Sequence, residues 1–328
     1  MNRVRLGRSD LRVSPIAFGT WQLGGDWGAT DENAAIAAIR HAADSGINFF
    51  DTAQGYGFGA SERLLARALS GRPRDQVVIA TKGGLRPTPG GGVARDASPA
   101  WVKKGVDESL RALGTDYVDL YQIHWPDPNT PFSETAGALA EMVGAGKVRH
   151  VGVSNFDAAQ IEEFSATLPV ETLQPPYHLF RRDIEQSVLP YTLAHDIGVL
   201  VYGPLAHGLL SGSMTIDTTF APGDWRASSD VFRGEPYRRN LRVVEALQRF
   251  AEVELGTTVS GLALAWTLAN PAVQVAIFGT RNPRHVDDAI AATQLTLDAS
   301  ALRRIDEIVA DEVPVGGPSP EQMPEGNQ

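Results

Sequence analysis

Four side chains of types that move protons lie early in the chain: Asp51, Tyr56, Lys82 and His124. Three stand at the end of an apolar, strand-like run. Asp51 follows Ile47 to Phe50, Lys82 follows Val77 to Thr81, and His124 follows Val118 to Ile123. Tyr56 lies a few residues past the first of these ends, in the stretch Asp51-Thr52-Ala53-Gln54-Gly55-Tyr56-Gly57. Its flanking glycines allow backbone angles closed to other residues, so the phenol can be aimed. A free tyrosine titrates near ~10 and is a poor acid at neutral pH. A neighbouring cation lowers that value; Lys82 is the candidate, with Asp51 to hold it charged and oriented. His124 reads as a group that polarises or orients a carbonyl. Taken singly, each residue is more often a packing, capping or surface residue. Their joint placement at neighbouring strand ends points to acid–base catalysis.

Other chemistries are disfavoured. His178, His195, His207 and His285 form no H-x3-H or HExxH spacing, and the chain has no cysteine, so no metal site is expected. Gly55-Tyr56-Gly57-Phe58-Gly59-Ala60 matches the letters of a dinucleotide fingerprint. The acid at the required distance, Asp75, precedes its strand instead of ending it, and a tyrosine would crowd the pyrophosphate turn. Pro87 to Gly92 lacks a following Gly-Lys-Ser/Thr and reads as a flexible loop. An anion site is better placed late in the chain. Gly279-Thr280-Arg281-Asn282-Pro283 follows the last strand-like run and opens a helix at Pro283.

The 328 residues carry 29 basic and 39 acidic side chains, a net charge of −10, which argues against nucleic-acid or anionic-membrane partners. The absence of cysteine fits a reducing cytoplasm. The start of the chain does not read as a signal peptide, and no apolar run approaches the ~20 residues of a membrane span.

These residues need elements that bring strand ends together. Candidate strands are Ile16 to Gly19, Asn48 to Thr52, Val77 to Thr81, Val118 to Ile123, Val148 to Val153, Thr172 to Gln174, Val199 to Tyr202 and Val275 to Phe278. Helical patterns lie between them, among them Glu32 to Ala43, Ser61 to Leu69, Pro99 to Leu113, Glu134 to Val143, Ala158 to Ser165, Ile184 to His195 and Val259 to Ala269. Ser98-Pro99 marks a helix start, and Gly46, Gly114 and Gly198 mark helix ends. The alternation predicts one domain over residues 1–328, an α/β (β/α)8 TIM barrel, with an open doubly wound sheet plus a second domain as the competing architecture. An N-terminal hairpin, Val4 to Gly7 with Leu11 to Val13, precedes it. A long loop, Leu205 to Arg239, follows strand seven. A helix, Ala299 to Ala310, and a loose tail, 313–328, end the chain.

At these residues the chain resembles an aldo-keto reductase, from about Leu6 to Ile308. The resemblance rests on "DTAQGYG" (51–57), "ATKGG" (80–84), "YQIHWPD" (121–127), "GKVRHVGVSNF" (146–156), "QPPYHL" (174–179) and "VYGPLAHGLL" (201–210). Within the family it looks closest to bacterial reductases with the "FRGEPYRRN" (232–240) type of loop.

The resemblance implies a cytoplasmic, metal-independent NAD(P)H-dependent oxidoreductase interconverting carbonyls and alcohols. Tyr56 would be the general acid, tuned by Lys82 and Asp51, with His124 placing the substrate oxygen. It implies NADPH, with NADH weaker, lying extended across the barrel mouth. Ser154, Asn155 and Gln174 would grip the carboxamide, and Tyr202 would stack on the nicotinamide. Gly203, Pro204, Leu205, Ala206, Gly208 and Leu210 would follow the pyrophosphate. Gly279, Thr280, Arg281, His285 and Asp288 would surround the adenosine end. Thr20 and Trp21 would join the cofactor site, and Trp21 and Trp125 would wall the substrate pocket. Gly279, His285 and Ala289 replace a lysine, an arginine and an asparagine of many members, which bears on the choice between NADPH and NADH. Two rival readings are a nicotinamide-binding sensor resembling potassium-channel beta subunits and a phosphosugar isomerase on the same fold.

Overall fold

The computed structural model describes residues 1–24, 31–89, 92–221 and 224–315. Its barrel strands are Ile16–Gly19 (β1), Phe49–Asp51 (β2), Val78–Gly83 (β3), Val118–Ile123 (β4), Val148–Ser154 (β5), Thr172–Gln174 (β6), Gly198–Val201 (β7) and Val273–Phe278 (β8). Each pairs in parallel with the next. The ring closes where Ala276, Ile277 and Phe278 lie opposite Ile16, Ala17 and Phe18. The fold is therefore a (β/α)8 barrel, and closure excludes the open sheet.

Alternation along the strands separates two cores. Inward-facing Ala17, Phe49, Ala80, Leu120, Leu200 and Val275 pack with Leu6, Leu11 and Val13 of the N-terminal hairpin. That hairpin, Val4–Arg5 paired with Arg12–Val13, plugs the N-terminal end of the barrel. Outward-facing residues meet the helices in a larger layer that includes Ile16, Phe18, Phe50, Ile79, Tyr121 and Val151. Helix signals hold where local chemistry sets them: Ser98 Oγ accepts from Trp101 N ahead of Pro99–Leu113, and Gly114 ends that helix at φ 65°.

Three expectations are corrected. Gly198 does not end a helix; it opens β7. A Cβ there would lie 2.7 Å from Gly7 N, and one on Gly7 would lie 2.1 Å from Gly198 N. The two glycines let the hairpin seat against the barrel wall. The helix expected over Ile184 to His195 is a 3-10 turn, Asp183–Glu185, followed by Val188–Ala194. Pro190 explains the break, because its ring clashes with the carbonyl four residues earlier and bars a helix through Gln186. The long loop after β7 ends at Arg233, where a helix of 21 residues, Gly234–Glu254, begins. The stretch Pro87 to Gly92, expected as a loop, lies between Leu85–Pro87 and Val93–Arg95, which pair as a small hairpin; residues 90 and 91 lie outside the described residues. The extra C-terminal helix is present as Ala299–Val309. The segment expected to be loose is tied at its start: Asn240 bonds both Val313 N and Val313 O, and Val315 N donates to Phe180 O at 2.9 Å. Residues 316–328 of that tail lie outside the described residues. No helix among the described residues is long and apolar enough to cross a membrane.

At the plugged end, His150 bridges Asp10 of the hairpin turn (Nε2 to Oδ1, 2.9 Å) and Glu171 (Nδ1 to Oε1, 2.9 Å). Burial pushes the imidazole down, but the two carboxylates outweigh it and the net shift is upward. A folded-state value above the unfolded ~6.5 gives stability that is full below that value and lost as pH rises through the folded one. Wild type is expected to lose on the order of 1 kcal/mol more than His150→Leu between pH 6 and pH 9. Thermal melts of both proteins across that range check it, and parallel curves would exclude the bridge as a contributor.

Candidate active site

Register brings the strand ends to one face. Asp51 closes β2 opposite Ala80 of β3, and Lys82 lies two residues further on, opposite Gln122 of β4. Lys82 follows Val78 and Ala80 on the inward face and is wholly buried. Its three N–H bonds are all directed: Nζ donates to Asp51 Oδ1 at 2.6 Å, to Thr52 O at 3.0 Å and to Tyr56 Oη at 3.4 Å. Burial lowers the pKa of this lysine, while the Asp51 carboxylate and, more weakly, Glu62 oppose the shift. Three acceptors around one nitrogen fit an ammonium. Asp51 is held in turn by Gln174, whose Nε2 donates to Oδ2 at 2.9 Å. His124 stands edge-on to Tyr56, ring centres 5.7 Å apart. Burial first, and then the Lys82 charge, push its imidazole well below the ordinary histidine range, so it is neutral at pH 7.

The tyrosine is aimed by backbone strain and close approach. Gly57, Phe58 and Gly59 are all left-handed, at φ 64°, 43° and 91°. Two of these positions are glycine, for which that region is free, and Phe58 carries the strain. Gly24 presses on the same loop: a Cβ there would sit 2.9 Å from Tyr56 Cα.

A cavity of about 600 Å³ runs from Tyr56 and His124 to Arg281 and His285. That volume suits a cofactor or drug-sized ligand. Beside the acid–base cluster, Asn155 Nδ2 donates to His124 O and Ser154 Oγ, and Asn155 Oδ1 accepts from Tyr202 Oη, each at 3.0 Å. Asn155 itself is left-handed, at φ 63°. Further along, Ala206 and His207 are left-handed at φ 48° and 57°, followed by Gly208 at φ 98°, so the loop that brings His207 to the cavity wall carries backbone strain. At the far end, Arg226 grips Asp224 (Nη2 to Oδ2, 2.7 Å) and donates to His207 O at 3.1 Å.

The Aldo/keto reductase family model matches residues 15–310. The chain belongs to the aldo/keto reductase family. It is 40% identical over 321 residues to the aldo-keto reductase YhdN of Bacillus subtilis (strain 168), covering 96% of each chain. It is 34% identical over 327 residues to the NADH-specific methylglyoxal reductase of Escherichia coli (strain K12), covering 94% of this chain and 99% of that one. Among solved structures it resembles the glycerol dehydrogenase AKR11B4 from Gluconobacter oxydans, with a TM-score of 0.88 and 38% identity, over 97% of this chain and 98% of that one. It is thus an NAD(P)H-dependent oxidoreductase interconverting carbonyl compounds and alcohols.

Of the positions that sequence reasoning assigned to this reductase's site, most lie together. Thr20, Trp21, Asp51, Tyr56, His124, Trp125, Ser154, Asn155, Gln174, Tyr202, Gly203, Pro204, Leu205, Gly208, Gly279, Thr280, Arg281 and His285 line the cavity, and Lys82 lies directly behind Asp51 and Tyr56. Ala206, Leu210 and Asp288 do not line it: the first two are buried beneath the loop and the third is exposed on the last barrel helix. Gln22, Ser211, Ser213 and Arg226 also line it without having been singled out in the sequence, whereas His207 and Asn282 lie within stretches expected to follow the pyrophosphate and to bind an anion. Ser213 and Arg226 come from the long loop, whose path only the folded chain fixes. The Gln22 amide lies against Gly279, where a Cβ would come 2.3 Å from Gln22 Oε1 and the glutamine would have to turn away.

Proposed function

We propose that Tyr56 is the general acid for carbonyl reduction and the base for alcohol oxidation, with Lys82 and Asp51 setting its proton affinity and His124 placing the substrate oxygen. The observation that carries this is the Lys82 ammonium, shared among Asp51, Thr52 O and Tyr56 Oη. A cation beside a phenol stabilises the phenolate and makes the proton easier to give. Neutral His124 keeps one ring N–H, with which it can donate a hydrogen bond to a carbonyl oxygen. Gln174 fixes the Asp51 carboxylate so that Lys82 stays aimed. The cavity fits an extended nicotinamide cofactor: amides at the Asn155 end, strained loop backbone in the middle, Thr280 and Arg281 at the end of β8. When bound, that cofactor supplies or accepts the hydride.

The substrate class we favour is short and polar, on the strength of two relatives named for glycerol and for methylglyoxal. The compartment we favour is the cytoplasm, consistent with a chain free of cysteine. A screen of NADPH oxidation with glyceraldehyde, methylglyoxal and benzaldehyde, and of NADP+ reduction with glycerol, tests the reading. Cofactor binding with no turnover of any of them would favour the sensor reading instead.

We favour NADPH over NADH on the residues at the adenosine end. Asn282 caps Pro283–Ala292 and Thr280 Oγ1 accepts from Asn282 N at 3.0 Å, an ordered rim for an anion. Asp224 works against it: burial would raise this carboxyl, but bonds to Arg226 and the nearby Arg281 charge hold it below the usual carboxylate range. It therefore draws on the same two arginines that a phosphate would. Arg281→Ala is expected to weaken NADPH binding roughly tenfold to a hundredfold while NADH changes by less than about threefold. Tryptophan fluorescence titrations with each cofactor check this. Equal weakening of both would make Arg281 a support of the loop and not a reader of the 2′-phosphate.

A further inference from the structure

Behind the acid–base cluster, on the outer side of the barrel wall, lies a buried acid that the proposed chemistry does not use. Glu62 is wholly buried in the first turn of Ala60–Leu69, the helix that follows the Tyr56 loop. Its Oε1 accepts from Thr81 Oγ1 at 2.7 Å, and Thr81 is the residue before Lys82. Its Oε2 has no hydrogen-bond partner among the described residues. Neither do Ser109 Oγ, Tyr121 Oη and Gln54 Oε1 close by. Burial pushes the Glu62 carboxyl up from its ordinary value, against the Thr81 hydrogen bond and the Arg63 charge. A buried carboxyl with one unsatisfied oxygen is costly to keep, so it calls for a reason.

The reason is geometric. The helix that begins three residues past the Tyr56-Gly57 turn is fastened to the barrel at two adjacent positions. Ser61 Oγ donates to Thr20 Oγ1 at 2.7 Å and lies 3.1 Å from Thr52 Oγ1, tying it to the ends of β1 and β2. Glu62 ties it to β3 through Thr81. Gln54 N adds a bond to Lys82 O at 3.0 Å from the same loop. The strand carrying Lys82 and the loop carrying Tyr56 are thereby clamped to one helix turn.

We infer that Glu62, acting through Thr81, is a positioning residue that sets the approach of Lys82 Nζ to Tyr56 Oη. This rests on the proposed roles of Tyr56 and Lys82. Thr81→Val keeps the side-chain volume and removes the donor; Glu62→Leu removes the carboxyl; Glu62→Gln keeps an acceptor for Thr81 and adds an N–H that neighbouring unpartnered oxygens can accept. A misplacement of under an ångström in an acid–base pair is felt in the transition state more than in the bound state. Thr81→Val and Glu62→Leu are each expected to lower kcat about tenfold to a hundredfold, with the substrate KM and the NADPH Kd within about threefold of wild type. The double variant is expected to be no worse than Glu62→Leu alone, and Glu62→Gln to recover most of the lost kcat.

Steady-state kinetics, cofactor titration and thermal melts of the four variants, with Tyr56→Phe alongside, make the test. Should Glu62→Leu fail to fold, Thr81→Val carries it. The inference falls if a folded Glu62→Leu or Thr81→Val keeps kcat within twofold of wild type. It falls equally if the loss appears in KM and Kd instead, or if Glu62→Gln is as damaged as Glu62→Leu. An active Tyr56→Phe would overturn the role of Tyr56; an inactive one beside an unimpaired Glu62→Leu would overturn only the positioning role.

Discussion

Tyr56→Phe is expected to lower kcat by about 10²–10⁴-fold while NADPH affinity stays within about twofold of wild type. The substitution removes one oxygen and keeps the ring. The edge-on contact with His124 at 5.7 Å survives, as do the glycines and the Gly24 approach that fix the loop. Lys82 loses one acceptor at 3.4 Å but keeps Asp51 and Thr52 O. Nothing that holds a cofactor is touched, so the loss belongs to the proton transfer alone. Because that interaction exists only in the transition state, kcat and kcat/KM should fall together. Single-turnover kinetics with fluorescence titration read both quantities. Retention of more than a tenth of kcat would remove Tyr56 from the role of acid.

Lys82→Met should produce two separable losses. Asp51 is 3% exposed and would keep Gln174 as its side-chain donor after losing the ammonium at 2.6 Å. Leaving one member of a buried ion pair alone typically costs about 3–5 kcal/mol, so the melting temperature should drop clearly. Activity should fall as well. Without the cation the phenol holds its proton more tightly, so the alkaline limb of the kcat/KM profile should move to higher pH as its height falls. The double variant Asp51→Asn with Lys82→Met removes both charges and should recover most of the stability but none of the activity. A double variant with restored turnover would reduce the pair to a structural ion pair.

Much of this was legible in the sequence because it is local. Asp51, Lys82 and His124 each end an apolar run, and strand ends in such a barrel share one face. Ser98 with Pro99 and the left-handed Gly114 are written within a few residues of the helix they bound. What the sequence hid depends on partners far along the chain. Gly198 resembles a helix end until Gly7 is seen against it. Gly234 to Arg239 reads as part of the long loop, although the helix that begins there buries Tyr237, Val243, Val244, Leu247 and Phe250 on one stripe. Asn240 interrupts that stripe with a polar residue because it bonds the backbone of Val313. Glu62 reads as an ordinary charged residue of a first helical turn, and only the arrival of Thr81 makes it a buried one.

The pairing of Ile16 with Ala276 also constrains how the chain is made. A ribosome delivers β1 first, and its partner β8 only after most of the protein has emerged, so the ring has no closed form during most of synthesis. Until then Leu6, Leu11 and Val13 have an incomplete cup to fill, and β1 is an open edge in a crowded solution. The first two barrel strands to appear are four and three residues long. Strands that short offer a neighbouring nascent chain few backbone groups to pair with, which limits misassembly during the wait.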